Sequence, residues 1–168
     1  MFISTRSVCA FALGAALLLG AGEVSAQGGG GGRGGGGRGG APMTPMAYRQ
    51  GIMQQFQANV GALNAARQGQ AGAANHVLLR AEIIQRLTQM LLDAFPEGSA
   101  GEGSRALPAI WTNTADFQAR IQAIQAAADG LVNAARGGNA DQVQAAVMTL
   151  QQGCGACHMA FRGPAPGN

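Results

Sequence analysis

From Thr44 onward, apolar residues return every three or four positions. Met46, Ile52, Met53, Phe56, Val60 and Leu63 fall on one helical stripe, with a single charged residue, Arg49, set inside it. Thr44-Pro45 supplies an N-cap followed by proline at the first helical position. A second stripe carries Val77, Ile84, Leu87 and Leu91, predicting a helix from about Ala71 to Phe95. The run "PEGSAGEGSRALP" then interrupts the pattern with glycine and proline and reads as a long loop. A third helix is predicted from Asn113 or Thr114, with Phe117, Ile121, Ile124, Ala128, Leu131 and Ala135 inward, ending at Gly137-Gly138. Asn139 is placed to cap a fourth helix, whose stripe is Val143, Val147, Leu150, Cys154, Cys157 and Phe161. No segment alternates in the manner of a strand. Four such helices with short, long and short connections predict an all-α fold, an antiparallel four-helix bundle.

The first 41 residues do not belong to that pattern. Arg6 precedes an apolar run from about Val8 to Leu19, and Val24-Ser25-Ala26 closes it with the small-x-small signature of signal peptidase. Residues 1–26 are therefore expected to be a cleaved export signal, which carries Cys9 away and implies a periplasmic protein that does not span the membrane after processing. Residues 27–41, almost all glycine and arginine, cannot bury apolar surface and read as a disordered tether. The helical domain is expected over residues 42–168. It sets eight arginines against seven carboxylates. The basic balance of the whole chain thus comes from its front, and nucleic acid is not an expected partner.

The chemistry sits in the fourth stripe. Its 4-3-4-3-4 spacing runs through Cys154 and Cys157, so both sulfurs face the bundle interior, with His158 alongside. A local disulfide is the plain alternative in an oxidising compartment. A thioredoxin site lacks its strand-helix context, and structural zinc lacks a fourth donor. Cys-x-x-Cys-His is the attachment signature of c-type haem, with two thioethers to the porphyrin and the adjacent histidine on iron. One covalent haem c is the expected cofactor. Gly153 and Gly155, each costing about 1 kcal/mol in a helix interior, are expected to clear the surface that a flat macrocycle approaches, fraying near the terminus being the alternative. Too few residues follow His158 to reach the opposite face of the ring, so any distal group must come from an earlier helix.

With "YRQGIM" in the first helix, "FPEGS…LPAIW…ADF" around the long loop and "CGACHMAFR" at the end, residues 43–163 resemble the class II c-type cytochromes, most closely the cytochrome c′ family. The resemblance implies haem attachment at Cys154 and Cys157, iron ligation by His158, and haem or propionate contacts from Arg49 and Gln50. Reaching solvent along its stem is the other course open to Arg49. Arg162 matches a basic position beside the proximal imidazole, and it also suits a helix C-terminus. Met53 matches the distal position, which in some relatives binds iron and in others only blocks it. Met43 and Met46 are less favoured for that place, His76 is expected on the surface, and Trp111 is expected to pack.

Two functions follow. The first is a five-coordinate, high-spin haem behind an apolar distal pocket, serving electron transfer, NO or CO binding, or both. The second is a six-coordinate, low-spin electron carrier with Met53 on iron. A haem-bound structural or sensing module is a third class that no residue favours. The implied partners are a small redox protein or a membrane electron-transfer complex, and family members often dimerise through their first two helices. No paired carboxylates, nucleophile-base pair or phosphate loop is present, so no conventional enzyme activity is expected.

Overall fold

The computed structural model describes residues 42–165. The predicted signal (1–26), the tether (27–41) and the last three residues of the expected domain lie outside the described residues. Helix α1 spans Pro45–Arg67, and the Thr44 side chain accepts from Ala47 N as its N-cap. Helix α2 spans His76–Thr88, α3 is the single turn Ala109–Thr112, α4 spans Thr114–Gly137 and α5 spans Ala140–Phe161. Gly138 ends α4 in the left-handed region at φ 69°, a conformation open to glycine at no steric cost. Asn139 then caps α5 by accepting from Gln142 N.

The second helix is shorter than its stripe predicts. Gly69 and Gly72 adopt positive φ and hold residues 68–75 in turns, which delays the start to His76. At the other end the backbone tightens after Thr88: Met90 N donates to Leu87 O and Leu91 N to Thr88 O, three residues back rather than four. Leu91 and Ala94 nevertheless stay buried, so the stripe persists beyond the helix that began it. Trp111 belongs to α3, the single turn ahead of the third long helix.

The core is made by the predicted stripes, with Ala81 of α2 added to them: Ile52 and Leu63 from α1; Ile84 and Leu87 from α2; Phe117, Ile121, Ile124, Ala128 and Leu131 from α4; Val143, Val147, Leu150 and Phe161 from α5. Full burial of each larger aliphatic chain contributes about 1.5–3 kcal/mol before entropy is counted. The helices pack as α1 on α2, α2 on α4 and α4 on α5. Helices α1 and α5, which would close the ring, do not pack together in this way, and the bundle is left with a slot along that seam.

Candidate haem site

The slot is a cavity of about 770 Å³, within the usual range for small-molecule and cofactor sites. Cys154, Cys157 and His158 line it from α5, while Arg49, Gln50 and Met53 line it from α1. Arg162, just past α5, stands at its edge. All seven residues singled out in the sequence therefore meet in one place. His76 is exposed at the start of α2, and Trp111 packs with its Nε1 donating to the carbonyls of Phe95 and Pro96 at 3.1 Å each; neither lines the cavity. Met46 does line it, despite its place near the start of α1.

One wall is an aromatic row. The rings of Phe95 and Phe117 meet edge to face at 5.1 Å, and Phe117 meets Phe161 in the same manner at 5.2 Å. Arg49 lies over the Phe95 end at 5.4 Å and Arg120 over the Phe161 end at 5.8 Å. Arg120 also donates to Ala156 O, holding the α5 backbone between Gly155 and Cys157. Phe56, Val60, Leu91, Ile110, Ile121, Ile124 and Leu150 complete an apolar interior.

Arg49 is only 5% exposed, which rules out the course to solvent. Its guanidinium donates to Ser99 O at 2.6 Å, Ser99 Oγ at 3.0 Å and Ser104 Oγ at 2.7 Å, clasping the long loop to α1. None of these acceptors is charged. Burial pushes the Arg49 pKa down from its ordinary value, and no carboxylate pairs with it among the described residues.

Two features of the site were not legible from periodicity. Arg105, in the loop, lines the cavity and fastens the chain beyond α5 by donating from Nε to Gly163 O at 2.9 Å and Pro164 O at 3.1 Å. An antiparallel bridge between Ala106 and Arg162 laces the same segments together. The glycines beside Cys154 also divide in role. A Cβ on Gly153 would come within 3.2 Å of Ile124 Cγ1, so this glycine serves the close approach of α4 and α5 and does not face the cavity. Gly155 does line the cavity, and a Cβ there meets nothing within 4 Å.

Cys154 and Cys157 are free thiols, each with its pKa raised chiefly by burial. The His158 pKa is lowered, first by burial and then by the positive charges of Arg162 and Arg105, which keeps its lone pair available. Among the described residues no three His, Cys, Asp or Glu side chains converge as a bound metal ion requires, so the donor set for structural zinc is not formed. A haem c suits what is there: an apolar slot, two thiols and an imidazole presented by one helix, and a lining that includes Arg49, Arg105 and Arg162 but no carboxylate.

Residues 44–162 match the family model described as cytochrome C'. The chain belongs to the cytochrome c′ family. It is 37% identical over 115 residues to cytochrome c-556 of Agrobacterium tumefaciens (strain II Chrys), covering 68% of this chain and 93% of that one. It is 32% identical over 127 residues to cytochrome c' of Rubrivivax gelatinosus, covering 72% and 95%. The crystal structure of the Rubrivivax protein superposes with a TM-score of 0.64 at 30% identity, over 70% of this chain and 94% of that one. A nitric oxide complex of an Alcaligenes xylosoxidans cytochrome c prime variant superposes equally well, with TM-score 0.64, 30% identity and coverage of 72% and 98%. A carbon monoxide-bound variant of the same protein gives 0.65 at 30% identity over 71% and 94%. This cytochrome c′ family member is a four-helix bundle with a covalent c-type haem, a carrier of electrons or binder of gases.

Proposed function

We propose that residues 42–168 form a periplasmic cytochrome of the c′ type with a five-coordinate, high-spin haem, delivered by the signal at 1–26 and preceded, after cleavage, by the tether at 27–41. Cys154 and Cys157 carry the thioether links, and His158 holds the iron from the proximal side. When bound, the haem supplies a one-electron iron couple and an open coordination position for a small neutral ligand. The remaining work falls to the chain. Arg49 and Gln50 bind the propionate edge, and a buried guanidinium whose only partners are neutral explains why an anion belongs there. Arg162 keeps positive charge beside the proximal imidazole.

The observation that carries the reading is the lining of the slot. His158 is its only histidine, and Met53, Phe56 and Val60 face the cavity beside the neutral amides of Gln54 and Gln57 with no carboxylate, so a small neutral ligand such as NO or CO can enter. The NO and CO complexes of the Alcaligenes relative support the gas-binding part. Electron exchange with a small redox protein or a membrane complex is the second role, and no organic substrate is turned over. Leu79 and Ile83, one turn apart and exposed on α2, offer an apolar patch for the homodimer that the family resemblance implies.

One observation favours a second reading: Met53 lines the cavity and is half-buried, so it is available as a sixth ligand. The ferric spectrum separates the two. A high-spin spectrum, and CO binding to the ferrous protein without loss of a ligand, support the five-coordinate form. A weak band near ~695 nm that disappears in Met53→Ala overturns it.

A further inference from the structure

A second recess, of about 350 Å³, adjoins the haem cavity. Arg105, Gly155, His158 and Arg162 line both, so the half-buried imidazole borders the recess as well as the cavity. Met159, at 83% exposed, forms its rim with Pro164. A single exposed apolar side chain is unremarked on most surfaces. Here it shares the recess with two arginines, neither of which pairs with a carboxylate among the described residues. Arg105 is held in place by Nε alone, and no carboxylate lines the recess. An apolar spot inside a rim of one charge is the arrangement by which transient protein partners are steered and oriented. Redox encounters of this kind need little area, below about 1,200 Å².

We propose that this recess is the docking face for an acidic redox protein, whose carboxylates meet Arg105 and Arg162 while its apolar surface rests on Met159. The inference rests on His158 being the iron ligand, since His158 lines both the recess and the haem cavity. One electron leaves the reduced centre of the partner and is taken up by the ferric haem. No bond forms or breaks, and no proton is transferred.

The test is stopped-flow reduction of the haem-loaded protein by two donors, a plant-type ferredoxin as the acidic protein and hexaammineruthenium(II) as the small cation. Arg105→Gln/Arg162→Gln is expected to slow ferredoxin about tenfold at low salt, and the deficit is expected to shrink below about twofold near 0.5 M salt. The ruthenium rate should hold or rise. Because Arg105 also ties the loop, Met159→Glu provides a variant at an exposed position that touches none of those bonds, and it too should slow ferredoxin alone. Arg86→Gln/Arg136→Gln, which removes the same two charges at exposed positions on α2 and α4, should leave the rate unchanged. Equal effects from the two double variants overturn the proposal, as does a parallel fall with both donors. A shift in sedimentation on the same substitutions also overturns it, because the recess then seats a second copy. Failure of the haem reading is distinct: the protein would give no pyridine haemochrome and no reducible absorption at all.

Discussion

Arg49 concentrates the energetics of the site in one side chain. Burying a guanidinium is expensive, and three hydrogen bonds to Ser99 and Ser104 offset the cost by fixing a loop some fifty residues away. Arg49→Ala should therefore lose about 2–3 kcal/mol in urea unfolding, since bonds to a charged donor contribute more than neutral ones. It should also make residues 99–104 the first site of proteolytic cleavage. Arg49→Lys keeps the charge but not the fork, and should fall between the two. An arginine inside an apolar stripe left two courses open in the sequence, and its burial decides between them. Its serine partners did not announce themselves, because a glycine-rich loop has no period to say which of its residues turns inward. The same silence hid Arg105. Cys154, Cys157 and His158 were legible because their spacing is itself the chemical signature.

At the scale of one element, α5 separates two glycines that look alike in sequence. Gly153→Ala must push Ile124 aside and should destabilise the protein, whereas Gly155→Ala enters open space. In haem-free protein Gly155→Ala should raise stability by up to about 1 kcal/mol, the helix-propensity gain. In the loaded protein the gain should shrink, because the new methyl projects where Gly155 borders the cavity. Thermal melts of both variants with and without haem check the pair. The sequence marked both glycines as costly and gave them one purpose. Only the distance to Ile124 divides them, and that distance depends on how α4 meets α5. The shortened α2 has a similar origin, since a buried stripe reports which face is inward and says nothing about where hydrogen bonds cease to run four residues back.

Across the whole molecule, four stripes were enough to predict a bundle, but not that one of its seams stays open. Periodicity assigns a face to each helix and leaves unstated whether the facing helix touches it. The slot between α1 and α5 means that haem takes the place of a helix contact. Protein prepared without haem should accordingly exchange amide hydrogens faster along α1 and α5 than along α2 and α4, and the difference should narrow once haem is attached. Equal protection of all four helices in the haem-free protein would count against the seam as the weak line of the bundle.

Trp111 has a use beyond packing. It is the sole tryptophan of the chain, and its indole N–H is anchored to the backbone of Phe95, whose ring forms part of the cavity wall. An indole fixed there emits light beside a strong absorber whenever the porphyrin is in place. Native protein should be nearly dark on ultraviolet excitation, and it should brighten as the loop lifts away or the chain unravels. The molecule thus contains its own optical gauge of how tightly that end of the bundle is shut.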